Sequence, residues 1–501
     1  MNIVWFKRDL RVHDHEPLAA AARNGPLLPL YIVEPALWLE PDASGRQWAF
    51  LRESLIELDT ALMRLGQRLI VRIGDACEVL RGLLAEHAIT AVYSHMETGN
   101  DFTFQRDLRV KALLQTHGIA WFEARQFGVV RGLKLRVRWA SQWEGLMAQD
   151  LARAPFALPA ISVRGDDLPM WPQSALKSDP CPHRQLGGRS RALELTQSFM
   201  DSRGERYSRE MSSPLSAERA CSRLSPHLAY GTLSVRELLQ ALRDRQAALQ
   251  GAPTQVRSSW PRSLQSLQSR LHWHCHFIQK LESEPAIEFR NINSAYDGMR
   301  EHAFNRERFE RWASGTTGWP FVDACMRSLI NGGWINFRMR AMLMAVSSYH
   351  LWLHWREPAL HLARLFTDYE PGIHFSQAQM QSGVTGINIP RIYNPIKQSH
   401  DQDPDGVFLR RWLPEIAHLS NEWIHTPWLA PLAQREGLNY PAPLLDHQQA
   451  AREAKVRLSA WRAGVRDLSA FNQAVLVKHG SKKRKVTARP MVANQQADLF
   501  Q

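Results

Sequence analysis

Short apolar runs and amphipathic stretches take turns along the first quarter of the chain. IVWF (3–6), LLPLYIV (27–33), RLIVRIG (68–74) and AVYSH (91–95) predict strands buried within a sheet. Between them, segments 46–66, 77–88 and 104–118 carry apolar residues three and four apart, the period of a helix. Strand and helix in alternation predict a parallel sheet, a Rossmann-like α/β domain over residues 1–130. No GxGxxG follows the first run, so a nicotinamide cofactor gains no support. The rhythm stops at 131–200, where proline, glycine and serine accumulate; this predicts a long interdomain connector draped over the surface. From 201 to 470 the pattern is helical and rich in tryptophan, which predicts an all-α domain. Residues 471–501 are polar and poor in aromatics, and predict a basic, disordered tail. No internal repeat is visible.

Composition narrows the class. The 501 residues are 44% apolar and 22% charged, as in an ordinary globular protein of two to four domains. No run approaches the ~18 apolar residues of a membrane helix, and MNIVWFKRDL reads as a buried strand followed by charge rather than a signal peptide. The expected location is the cytoplasm. The five cysteines are scattered with no CxxC, which argues against a disulfide framework or a cysteine-held metal. Of His272, His274 and His276, only His272 and His276 share a helical face, and no third ligand accompanies them, so no metal is expected. The net charge of +13 favours a polyanionic partner. Part of it sits in the tail HGSKKRKVTARP, which also resembles a nuclear-import signal.

Three features of the helical half could carry chemistry. SRLSPHLAYGTLS (222–234) sets Ser222, Arg223 and Ser225 just before an apolar helix; this is either a phosphate site or an ordinary N-cap. Trp273, Trp312, Trp319, Trp334, Trp352 and Trp355 could stack on a base or a flavin, relay electrons, or simply fill a core. Asn336, Arg338 and Arg340 lie on an otherwise apolar helix, with Asp368 and Glu370 downstream. An arginine in apolar surroundings must be paired, and Arg340–Asp368 is the natural pair.

The chain as a whole resembles the photolyase/cryptochrome family. WFKRDLRVHDHEPLAAA is similar to the family's opening, TGWPFVDACMRSL (317–329) to its TGYP-VDA-MR-L, and Asn394 to Pro414 to its N-P…D-P-D-G…R-R-W-x-P. HTPW (425–428) and YPAPLLDH (440–447) complete a likeness that runs in order from residue 1 to about 465. The resemblance implies an N-terminal antenna domain and a helical domain that binds FAD in a U shape. It places Tyr207 and the run Cys221, Ser222, Arg223, Leu224, Ser225 at the diphosphate, with cysteine where the family has threonine. Trp273, Arg340, Asp368, Glu370 and His374 complete the implied cofactor set, and Arg338 and Arg391 stand where DNA phosphates are held. It implies splitting of pyrimidine dimers in damaged double-stranded DNA by an electron from photoexcited reduced flavin. A cryptochrome-like photoreceptor without repair activity is the alternative, and a flavoprotein with a dark redox role a third reading. A monomer is the family's default.

Several positions depart from the family. His374 replaces the asparagine that faces flavin N5, and is expected to set the flavin's protonation and redox state. Ala378 stands where the first tryptophan of the electron relay belongs, while Trp355 and Trp312 keep the middle and outer places; either photoreduction is slow or a neighbouring aromatic, Trp334 or Trp352, substitutes. Cys275 replaces the glutamate of the cyclobutane-dimer pocket, Ala341 a methionine, and Asn336 and Phe337 the histidine pair of (6-4) photolyases. For a second, antenna chromophore, a folate or a deazaflavin is expected at most: HMETGNDFTFQRD (95–107) fits a family helix start, but Glu97 does not match the folate glutamate and reads as a possible surface charge.

Overall fold

The computed structural model describes residues 1–480, apart from Leu135 and Ala303. Five strands, β1 (Asn2–Phe6), β2 (Leu27–Val33), β3 (Ile70–Ile73), β4 (Ala91–His95) and β5 (Ala120–Ala124), form one sheet in the order β3-β2-β1-β4-β5. All four pairings are parallel. The inner strands β1, β2 and β4 are buried at every residue, because helices cover both faces of the sheet. Edge strand β5 is largely half-buried or exposed and lacks a continuous apolar run, so pattern alone misses it. Helices α1 (Glu16–Arg23), α2 (Gly45–Arg64), α3 (Ala76–Glu86) and α4 (Asp101–Thr116) make the crossovers. The order reverses between β1 and β4, which opens a crevice at their C-terminal ends.

The connector is more ordered than its composition suggests. It folds into helices Trp139–Met147 and Arg189–Asp201, and Trp139 and Trp143 lie fully buried against Leu271 and Cys275 of the helical half. The second half is helical throughout, with Trp312, Trp319 and Trp355 at its centre. Residues 471–479 also correct the expectation of a disordered tail. They belong to a helix, Leu468–His479, held by His479 Nε2 to Glu284 (2.6 Å), Lys478 to Glu284 (2.9 Å) and an Asn293–Asn472 hydrogen bond (2.9 Å). The basic run SKKRKV lies outside the described residues. Among the described residues, no helix is long and apolar enough to cross a membrane.

The two halves are clamped together by the chain's opening segment. Arg8, just past β1, donates to the carbonyls of Ala229 and Tyr369 (both 2.9 Å) and pairs with Glu370 at 3.1 Å. Arg11 donates to Gly231 O (2.9 Å), and Asp14 accepts from Ser234 Oγ (2.5 Å) and pairs with Arg236. Gly231 is in the left-handed region at φ 65°, and a Cβ there would run into the backbone of Arg8 and Asp9; only glycine allows this approach.

Candidate functional site: a helical bowl behind the domain interface

Ser213 caps helix Pro214–Ala220, and the chain then leaves helical geometry at Cys221. Arg223 follows at φ 61°, a conformation costly for a side-chain-bearing residue and found where surroundings enforce it. The enforcement is visible. Arg203 donates to the carbonyls of Arg219 and Cys221 (both 2.7 Å). Gln185, from the connector, donates to Arg223 O (2.8 Å) and accepts from Arg223 Nε (3.0 Å). The Arg223 guanidinium lies 3.9 Å from the Trp334 ring centre. Ser222, Arg223 and Ser225 are left half-buried at the turn. Leu224 instead points into the core and anchors the turn from behind, so it does not face a ligand. Burial pushes the Cys221 thiol and the Tyr207 phenol up to about 12, so both stay neutral.

Across the bowl, Arg340 on helix Phe337–Ala345 holds Asp368 with two parallel hydrogen bonds of 3.0 and 2.8 Å, as its apolar setting demands. Asn336 Nδ2 ties the helix start to the carbonyls of Met211 and Ser212 (3.0 and 2.7 Å). Asn336 Oδ1 and Thr367 Oγ1, on the same two segments, are buried without a hydrogen-bond partner. Unpaired buried acceptors and hydroxyls beside a charged pair suit a site whose ligand supplies the missing bonds. With a cation and two hydroxyls at the 222–225 turn, the residues fit a flavin dinucleotide. Glu370 is a correction. It turns away toward Arg8 and the α/β domain, and burial pushes it up to about 7.

His374 is placed differently from its expected role. Its Nε2 donates to Ala359 O (2.7 Å) and burial pushes its pKa down to about 4, so the ring is neutral at pH 7. Burial thus opposes the titration near neutrality that the sequence suggested, and the ring packs edge-on against Phe366, Tyr369 and Phe375. Trp355 and Trp312 are both fully buried, their indole N–H groups donating to Asn291 Oδ1 (2.7 Å) and Leu343 O (3.2 Å). Trp312 therefore does not open to solvent as an outer relay position must. Trp273 is half-buried and stacked on Phe277. Cys275 lies fully buried in the core with Trp143, its thiol raised to about 11 by burial; it is a packing residue, not a group poised at a substrate.

Arg391 is exposed and lines a groove of about 580 Å³ with Lys455, Ser459 and Arg462. Arg338 is half-buried on the Arg340 helix. The crevice at the β1–β4 switch point is nearly closed. It has room for about one water, ~10 Å³. Beside it Glu97 is no surface charge: it accepts from Arg106 (2.5 Å), which also holds Glu34 (2.8 Å). Asp9, His15 and His95 form the metal-like cluster found among the described residues. Asp9 Oδ2 meets His15 Nε2 at 2.9 Å and His95 Nδ1 at 2.7 Å. His15 Nδ1 accepts the Leu18 N–H that starts α1 (3.0 Å), so its proton sits on Nε2 and points at Asp9. The cluster is a hydrogen-bonded hub around an ionised carboxylate, and an ion at Nε2 would cost the helix its cap.

Comparison with known proteins follows the same division. Residues 2–130 match the family model for DNA photolyase, and residues 266–460 match the model for the FAD binding domain of DNA photolyase. The chain belongs to the photolyase/cryptochrome family. A deoxyribodipyrimidine photo-lyase of Agrobacterium fabrum is 28% identical over 483 residues, 91% of this chain and 97% of that one. A cryptochrome DASH of Gloeobacter violaceus is 28% identical over 492 residues, 92% and 96% of the two chains. The crystal structure of a bacterial class III photolyase from Agrobacterium tumefaciens superposes with a TM-score of 0.77 at 27% identity, over 92% of this chain and 98% of that one. Around the Arg223 turn and His374, sequence reasoning missed Arg203, Gln185 and Tyr369. Arg203 and Gln185 act through backbone carbonyls far away in the chain, and no periodicity marks such contacts.

Proposed function

We propose that this protein is a blue-light-driven, FAD-dependent DNA photolyase that splits pyrimidine dimers. The observation that carries this reading is the basic groove of Arg391, Lys455 and Arg462. It gives the net positive charge a place to hold a phosphate backbone. Ser222, Arg223 and Ser225 would take the diphosphate of the cofactor; the Arg340–Asp368 pair and His374 would line its ring system. When bound, the flavin supplies the light-driven electron. The chain's own part is positional. Gln185, Arg203 and Trp334 hold the strained Arg223, and Asn336 fixes the arginine helix to the Met211–Ser212 loop. Arg338 and Arg391 would contact the lesion-bearing strand, which is extruded most cheaply where damage has already weakened stacking. A second, antenna chromophore, a folate or a deazaflavin, would belong to the α/β domain. The protein would work as a cytoplasmic monomer on damaged double-stranded DNA.

The second reading, a photoreceptor without repair activity, is favoured by one observation: Cys275, at the position of the family's dimer-contacting glutamate, is buried in the core. Light-dependent repair by flavin-loaded, reduced protein separates the two. One oligonucleotide carries a cyclobutane dimer and another a (6-4) product. Repair of either establishes the lyase. No repair of either, with flavin bound and photoreducible, transfers the assignment to a photoreceptor.

A further inference from the structure

The family's electron route is interrupted at both ends here: residue 378 is alanine, and Trp312 is sealed from solvent. The two tryptophans that sequence offered as substitutes sit beside cations. Trp334 lies under the Arg223 guanidinium at 3.9 Å, and Trp352 lies near both Arg300 (4.5 Å) and Arg457 (5.2 Å). Removing an electron from an indole leaves a cation, and neighbouring guanidiniums oppose that charge most strongly where water is scarce.

One ring has the opposite environment. Tyr369 follows Asp368 directly, and its ring centre is 5.3 Å from that of His374. Its hydroxyl donates to Asp42 Oδ2 at 2.6 Å, across the domain interface. Both side chains are buried, and Asn100 Nδ2 approaches both Asp42 oxygens at 3.2 Å, which orients the carboxylate. Arg8 fixes the Tyr369 carbonyl at 2.9 Å. Among the described residues, the rings packed on His374 are Phe366, Tyr369 and Phe375; the phenol is the oxidisable one. Behind it, Phe375 lies 6.4 Å from both Tyr369 and Trp355, so Trp355 stands one ring further out.

We propose that Tyr369, with Asp42 as its proton acceptor, is the electron donor that serves the flavin site in place of the missing tryptophan. A phenol that loses an electron becomes a very strong acid, so the step is downhill only if a base already waits on the O–H. Tyr369 gives one electron to the photoexcited oxidised flavin, and its phenolic proton crosses to Asp42 Oδ2. A neutral tyrosyl radical and a neutral carboxylic acid remain. When a thiolate in solution replaces the electron, becoming a thiyl radical, the proton returns from Asp42 to the phenolate.

This inference rests on the flavin-binding part of the reading above and not on repair. Flavin-bound protein that repairs nothing overturns the lyase alone, whereas protein that binds no flavin overturns both. The test is electron paramagnetic resonance of wild-type, FAD-loaded protein frozen under blue light, with and without ring-deuterated tyrosine. A tyrosyl signal that narrows on deuteration is expected. In Tyr369→Phe, that signal disappears and flavin bleaching slows at least tenfold. In Asp42→Asn, the ring stays but bleaching slows several-fold and the wild-type solvent deuterium effect is lost, a readout that a purely structural role would not move. A tryptophanyl signal in the wild type overturns the proposal, as does a bleaching rate unchanged in Tyr369→Phe. The wild-type spectrum decides the radical's identity even if a variant fails to fold.

Discussion

Replacing Asp368 by asparagine tests whether the Arg340–Asp368 pair organises the bowl. The pair is bidentate, with its carboxylate only 3% exposed and its guanidinium 23% exposed. Asparagine keeps one acceptor, but sets an NH₂ group against a guanidinium N–H and removes the countercharge. Stranding one member of a buried pair costs about 3–5 kcal/mol. Here water reaches Arg340 in part, Ile335 O still accepts from its Nε (2.7 Å), and Phe366 still stacks on it (4.1 Å). A loss of about 2 kcal/mol is therefore expected, which is roughly 30-fold in a binding constant if the cofactor depends on this geometry. The assay is reconstitution of apoprotein with FAD, followed by flavin fluorescence, with far-ultraviolet circular dichroism to confirm the fold. Glu16→Gln, which breaks the exposed Arg23–Glu16 pair at 3.2 Å, is the control and should leave affinity unchanged. Weakening of less than threefold in a folded Asp368→Asn protein would refute the assignment.

Three further outcomes are expected. Burial raises Glu370 from its usual range to about 7, so the native state holds its proton where the unfolded chain has lost it. That contribution is present below about pH 4.5 and fades as pH rises through 7, by about 3 kcal/mol; denaturation of wild type and Glu370→Gln across this window should show the wild type losing ground steadily. His374, with its pKa near 4, predicts a flavin absorption spectrum that does not change between pH 6 and 8, and a titration with a midpoint near neutrality would contradict the neutral ring. Converting Arg391, Lys455 and Arg462 to glutamine should lower the slope of log affinity for DNA against log salt by about 0.9 for each phosphate no longer neutralised, and an unchanged slope would move the DNA elsewhere.

Much of the fold was legible because burial leaves a mark on local sequence. A parallel strand covered on both faces must be apolar at nearly every position, so β2 and β4 were readable to the residue from 27–33 and 91–95. Edge strand β5 lacks that cover and shows no such run. Likewise Arg340, an arginine on an apolar helix, announced a partner 28 residues away, and Asp368 was the acid available. The connector was misread because Gly and Pro density reports local chain geometry. It says nothing of Gln185 reaching Arg223, or of Trp139 and Trp143 filling a core.

Residue pattern alone thus predicted the α/β and helical halves, and the resemblance named the family and the residues proposed to hold the cofactor. The tertiary structure decided which way they face. Glu370 turns to Arg8, Cys275 and Leu224 point into a core, and Trp312 has no path to solvent. It also decided charge: His374 is neutral because burial costs its ionised form more than its single carbonyl partner returns. The Tyr369–Asp42 hydrogen bond spans 327 residues and exists only because the α/β domain docks on the helical one. Orientation, protonation and such pairings depend on which surfaces meet in space, and no local period in the chain encodes that.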